Sequence, residues 1–336
     1  MIELIRAEIR QRGPVSFAWF MKQALYHPEH GYYSADRAAI GRSGDYFTNV
    51  SVGPLFGELL AAQFAEIWRL LAAINDFVIV EQGAHHGALA RDVLEATRRR
   101  FPEFFAALRC QIVEPFPKLK DQQSQTLREF GDRVQWRKSL DELEPFAGIH
   151  FSNELLDSMP INLRGKLVDL ARDEFVFVDS PVDQITNRSQ LDWVSNIARK
   201  LERGFVLAID YGFPRSDFHE ALQVRAKHRH LDSPFEQIGE ADITAHINWT
   251  NIAEAAEKNG LRVSGFTDQH HFLTGLISTL PEIVADEKSK RALQTLLHPE
   301  MLGRAFQVLA LTKDVDPCEP PSGFKFARDA RQALGL

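Results

Sequence analysis

Short apolar runs separated by longer amphipathic stretches recur along most of this chain, and the alternation predicts strands and helices in turn. Strands are expected at 77–81, 110–114, 133–136, 148–152, 205–210, 261–267 and 305–312. The first, opening with Phe77-Val-Ile-Val80, has the continuous apolar character of a buried parallel strand. Helical periodicity fills 54–74, 87–100, 117–130, 190–203 and 250–259, the last with Thr250 as its N-cap. Strands separated by helices build a mainly parallel, doubly wound α/β sheet. Three stretches interrupt the pattern. Residues 155–190 hold a hairpin with arms at 162–169 and 174–179, 211–248 is loop-rich, and 268–303 is helical. The division expected is an N-terminal helical cap and lid segment over 1–76, a sheet domain over 77–312 carrying those three insertions, and a tail over 313–336. The tail is rich in Pro, Gly and charge and is expected to be loosely held.

The chemistry gathers where strands end. Glu81 closes the first strand, and Gly83 and Gly87 bracket a turn into a helix. That order suits a nucleotide-like cofactor: a fixed strand, a close backbone turn and a helix N-terminus with free N–H groups. No Gly-Lys-Ser/Thr follows, so the turn is not a phosphate cradle. Glu114 ends the second strand, as an acceptor for a ribose diol or as an exposed acid before Pro115. Asn153, Glu154 and Asp157 follow the fourth strand. Glu154 and Asp157, three apart, share one face if a helix starts there, and an acidic helix N-terminus has the same appearance. Tyr211 follows the fifth strand, as a substrate-channel wall or a packed tyrosine. His246 alternates with Asp242 and Thr244, on the substrate side or as a structural imidazole. Gly44, Asp45 and Thr48 form a polar loop that composition alone reads as a turn.

Composition narrows the classes. The chain has 336 residues, 44% of them apolar, enough for a full core. A net charge of −7 argues against a general binder of nucleic acid or anionic membrane. Two cysteines, Cys110 and Cys318, make no disulfide framework, so a reducing bacterial cytoplasm is expected. No apolar run is long enough to span a membrane, and the N-terminus, with Glu3 and Glu8 among arginines, lacks the character of a signal or transit peptide. The chain holds 12 histidines, with pairs at His85-His86 and His270-His271, but no HExxH or Cys/His spacing, so no metal is expected.

Several separated motifs then agree. Gly13-Pro-Val-Ser-Phe-Ala-Trp-Phe-Met-Lys-Gln-Ala-Leu-Tyr-His-Pro-Glu-His-Gly-Tyr-Tyr33 is followed by Gly44-Asp-Tyr-Phe-Thr48, Gly53-Pro-Leu-Phe-Gly57 and the Glu81–Gly87 turn. Ser152-Asn-Glu-Leu-Leu-Asp-Ser-Met-Pro160, Ile209-Asp-Tyr-Gly212 and Gly239-Glu-Ala-Asp-Ile-Thr-Ala-His246 come later. This series resembles the MidA family, class I S-adenosyl-L-methionine (SAM) methyltransferases that include a mitochondrial complex I assembly factor. The resemblance runs from about residue 10 to residue 312. It implies a seven-stranded Rossmann-like sheet, SAM as cofactor and a protein arginine as substrate, with symmetric dimethylation of a respiratory complex subunit as the mitochondrial role. It further implies cofactor contacts from Gly44, Asp45, Thr48, Glu81, Gly83, Gly87, Glu114 and Asn153. Catalytic carboxylates Glu154 and Asp157, with Tyr211 and His246 toward the substrate, complete the set. The chief departure is Ala84-His85-His86, where the family turn has a glycine at the position of His85. A catalytically degenerate member would use the same groove to bind and assemble a partner. The retained acids favour the enzyme, and His85 favours the scaffold.

Overall fold

The computed structural model describes residues 1–35, 48–182, 186–226, 229–315 and 319–336. Gly44 and Asp45 lie outside the described residues. The chain begins with α1 (Ile2–Arg12), β1 (Val15–Ser16), α2 (Phe17–Tyr26), α3 (Leu55–Leu70) and β2 (Phe77–Gln82). It continues through α4 (Ala88–Arg100), α5 (Pro102–Ala107), β3 (Leu108–Val113), α6 (Pro117–Thr126), β4 (Val134–Arg137) and β5 (Phe146–Asn153). Next come β6 (Lys166–Ala171), β7 (Glu174–Asp179), α7 (Arg188–Lys200), β8 (Leu201–Phe213), β9 (Leu222–Ala226), β10 (Arg229–Leu231), β11 (Asp242–Ala245) and β12 (Ile247–Asn248). The remainder is α8 (Trp249–Lys258), β13 (Arg262–Asp268), α9 (Gln269–Thr279), α10 (Glu287–Leu297), β14 (Phe306–Lys313) and α11 (Ala330–Leu334).

Two compact units share the chain. One comprises Met1–Phe47, Leu156–Asp192 and His219–His246, the other Thr48–Leu155, Trp193–Phe218 and Ile247–Leu336.

In the first unit β1, β6 and β7 form one small antiparallel sheet, and β10, β9 and β11 form another. Phe17, Phe20 and Met21 of α2 share a buried core with Tyr32, Val168 and Ile243. The β6–β7 hairpin turns at Arg172 and Asp173, both at positive φ, the twist a two-residue hairpin loop requires. The sequence places its first arm at 162–169; pairing begins only at Lys166. The segment over 211–248, expected to be loop-rich, carries the β9–β11 sheet, whose strands are too short to show a period.

The second unit is built on one large sheet in the order β13-β14-β8-β5-β2-β3-β4, with β12 beside β8. Strands β4, β3, β2, β5 and β8 run parallel, and β14 enters antiparallel between β8 and β13. Strand order reverses between β2 and β5, so the crevice beyond the carboxyl ends of these two strands is where such a sheet takes a ligand. Contacts group α3 with this unit rather than with the N-terminal helices. Its buried face, from Leu55 to Trp68, packs beside α4. The C-terminal tail departs from its expected looseness. Glu66 accepts hydrogen bonds from the Ser322 N–H and hydroxyl, and Gln63 accepts from the Gly323 N–H. Phe324 and Leu334 are buried. Local composition cannot register that docking.

Candidate functional site

Four of the sequence candidates occupy the carboxyl ends of β2, β3 and β5 in the second unit. Glu81 lies within β2 and is buried beside a small cavity lined by Phe64, Leu89, Val93, Cys110 and Phe151. No described residue donates a hydrogen bond to its carboxyl, and burial pushes its pKa up to about 8. The turn that follows holds three residues at positive φ: Gly83 at 86°, His85 at 46° and Gly87 at 79°. His85 therefore adopts the left-handed conformation that a glycine takes without cost. Gly87 donates its N–H to the Ala84 carbonyl, closing the turn at the start of α4. A side chain at Gly83 would meet Leu155 at 3.3 Å.

Glu114 follows β3. Its backbone N–H donates to the Arg137 carbonyl. One carboxyl oxygen accepts from the Phe116 N–H at 2.9 Å and the other from the Gln123 amide at 2.9 Å. Burial raises its pKa above the ordinary carboxylate value, and the two donors pull the other way. Each oxygen keeps an acceptor position for a ligand hydroxyl.

At the end of β5, Asn153 is bonded on both sides. Its oxygen accepts from the Asn49 amide at 3.1 Å and its own amide donates to the Glu154 carboxylate at 2.8 Å. Asn49 in turn accepts from Gln269, whose amide also donates to the Leu296 carbonyl. Asn49 and Gln269 are fully buried. Asn153 thus orients Glu154. Thr48 starts the short turn 49–52 that carries Asn49, its N–H bonded to the Ser51 hydroxyl. Glu154 itself stands at a φ of 55° and donates its N–H to the Ile209 carbonyl. Asp210 accepts the N–H groups of both Leu155 and Tyr211.

No helix follows β5. Residues 154–160 are bends and turns, with Glu154 at positive φ. The shared helical face expected for Glu154 and Asp157 is therefore not formed. Asp157 belongs to the first unit, where its carbonyl accepts the Ala245 N–H beside His246. His246 packs edge-on to His219, and burial lowers its pKa. Of the alternating residues over 242–246, Asp242 accepts from the Tyr33 hydroxyl at 2.7 Å, and His246 stands after β11. Tyr211 lies inside β8 rather than past it, its ring 4.0 Å from that of Phe306.

Sequence reading missed Asn49, Gln123, Asp210 and Gln269. Only Asp210, within the Ile-Asp-Tyr-Gly run, carried a local signal. Among the described residues no group of three His, Cys, Asp or Glu side chains is arranged to hold a metal ion, and no helix is long and apolar enough to cross a membrane.

These groups fit SAM. They offer a buried carboxyl for an ammonium, backbone at positive φ for close approach, and a two-oxygen acceptor for a ribose. Comparisons agree with that fit. The profile of an S-adenosyl-L-methionine-dependent methyltransferase family matches residues 59–181 and 183–267, more than half of the chain. The chain is similar to the protein arginine methyltransferase NDUFAF7 homolog, mitochondrial, of Drosophila melanogaster, at 27% identity over 91% of this chain and 83% of the relative. Against protein arginine methyltransferase NDUFAF7, mitochondrial, of Homo sapiens the values are 24%, 99% and 87%. A Burkholderia thailandensis protein crystallised with S-adenosyl-homocysteine (SAH) superposes with a TM-score of 0.85 at 28% identity, covering 96% of this chain and 94% of that one.

Proposed function

The chain belongs to the MidA-type family of SAM-dependent methyltransferases, and from that premise we propose that it methylates an arginine side chain of a protein. The observation that carries the reading is Glu154: a carboxylate at the carboxyl end of β5, on a residue held in a sparsely populated backbone conformation and braced by Asn153. Strain of this kind persists where the surroundings over-determine it, and it clusters at active sites. The relatives named above, both protein arginine methyltransferases, support the arginine assignment.

Bound SAM supplies an electrophilic methyl group on a sulfonium. The chain's own residues bind and align. The turn Gly83–Gly87 and Glu81 would receive the amino-acid portion, and Glu114 would accept hydrogen bonds from the ribose hydroxyls. Glu154 faces the harder task, because a guanidinium is planar and stays charged at neutral pH. Its carboxylate accepts N–H bonds and draws positive charge away from the nitrogen to be alkylated. Alignment of this sort is worth effective molarities on the order of 10⁵ M.

The test is Glu154→Gln, which keeps shape and removes charge. Transfer to arginine-containing protein from lysate, followed by mass spectrometry, is expected to drop roughly 10²–10³-fold. SAH affinity by calorimetry stays close to wild type. Transfer at the wild-type rate would remove Glu154 as the guanidinium clamp, and methyl groups found only on residues other than arginine would remove the substrate assignment.

A further inference from the structure

We propose that Gln123 is the positioning residue that couples the two halves of the cofactor site, holding the His85 turn and the Glu114 carboxylate in one fixed relation. The proposal rests on the assignment of Glu114 to the ribose made above.

Gln123 emerges from the middle of α6 and is fully buried. The Trp136 indole N–H donates to its oxygen at 2.9 Å. An indole can only donate, so that bond decides which way the amide faces. Both amide hydrogens are then directed elsewhere, one to the His85 carbonyl at 2.7 Å and one to the Glu114 carboxylate at 2.9 Å. Every donor of the side chain is used, and its two targets are the two places where this chain needs definition. His85 occupies a left-handed position that a non-glycine residue resists, and a hydrogen bond to its carbonyl works against that penalty. Glu114 would rotate about its side-chain bonds if only the Phe116 N–H held it. The helix backbone is close as well: a side chain at Gly87 would meet the Gln123 Cα at 3.5 Å. One amide thereby makes a turn with histidine in place of glycine compatible with a formed cofactor site.

Gln123→Glu separates positioning from folding. It keeps the shape and the acceptor for Trp136 and, when ionised, loses both donors while facing the Glu114 carboxylate. At pH 8, SAH binding by calorimetry is expected to weaken about 10- to 100-fold relative to wild type, the range for a hydrogen bond to a charged group. At pH 6 the introduced carboxyl takes up a proton and regains one donor, so the variant-to-wild-type ratio narrows severalfold. Adenosine, which has the ribose without the amino-acid portion, shows a smaller loss in the same direction. Wild-type affinity at pH 8, or a loss unchanged between pH 8 and pH 6, overturns the proposal; the second is what a purely structural residue would give.

Glu114→Ala is the control for the premise. If it leaves adenosine binding unchanged, the ribose assignment falls and the coupling role with it. If it weakens adenosine while Gln123→Glu does not, the ribose assignment stands and the coupling role alone fails. Should Gln123→Glu not fold, the wild-type protein still decides. The two Gln123 side-chain amide protons are expected to exchange slowly and to shift in NMR spectra on adding adenosine or SAH. Fast exchange, or indifference to both ligands, overturns the proposal.

Discussion

Glu81 and His150 sit one strand apart, on opposite faces of the large sheet, and burial keeps both uncharged. With its pKa raised to about 8, Glu81 is protonated in the unliganded fold at neutral pH. Its contribution to stability is complete below the ordinary value of 4.5 and is lost as pH rises through 8. A ligand ammonium needs the carboxylate, so SAH binding must release the proton. Affinity is expected to climb by up to about tenfold per pH unit toward pH 8, and Glu81→Gln flattens the dependence. Parallel curves for wild type and variant in calorimetry from pH 6 to pH 8 would mean that Glu81 does not meet the ammonium. His150 shows the opposite sign. Among the described residues neither ring nitrogen has a hydrogen-bond partner on another residue, the ring lies beside that of Trp193, and burial lowers the pKa to about 3. The unfolded chain takes up the proton first, so stability is greatest above 6.5 and falls as pH drops toward 3. The slope approaches about 1.4 kcal/mol per pH unit. His150→Leu is expected to remove that component and to stabilise the protein at pH 7 by about 1 kcal/mol or more, since no unsatisfied polar group remains. Chemical denaturation at pH 5 and pH 7 checks both statements; a destabilised variant at pH 7 counts against them.

At the scale of elements, turns settle what strands and helices leave open. The β6–β7 hairpin places Arg172 and Asp173 at φ values of 51° and 69°, a conformation that asparagine and glycine adopt more readily. Asp173 also pairs with Arg10, whereas among the described residues the Arg172 side chain makes no hydrogen bond or ion pair. Arg172→Asn is therefore expected to raise stability by about 0.5–1 kcal/mol, measured as an increased thermal midpoint. A midpoint at or below wild type would show that the turn is not strained. The same conformational rule works against expectation after β5. Glu154 takes the left-handed conformation, and its neighbour's N–H turns to Asp210. In place of the helix start that an acidic run suggests there is a bend, with Glu154 half-buried at a strand end.

At the scale of the whole molecule, the C-terminal residues are part of the sheet unit. Phe324 lies against Phe272 and near Gly265, and the Thr250 hydroxyl donates to the Leu334 carbonyl. Removing residues 319–336 is expected to cost about 3 kcal/mol or more, as for loss of a buried phenylalanine. A lowered unfolding midpoint checks it, and an unchanged one would mean that the docking is incidental. Strands such as β2, β8 and β14 were legible from sequence alone because each centres on an apolar run, a property contained in its own few positions, whereas the two-residue β12 offered none. The candidate acids Glu81 and Glu114 and the amide Asn153 were legible for the same reason, since they stand at strand ends. The small β9–β11 sheet was hidden because its strands are three to five residues long and offer no period to read. The bracing of the site was hidden because its bonds are remote: Gln123 to His85 spans 38 positions, Asn49 to Asn153 spans 104, and Gln269 to Asn49 spans 220. A buried amide has no local signature. Its role depends on which backbone groups packing brings within about 3 Å of it, and only the folded chain makes that choice.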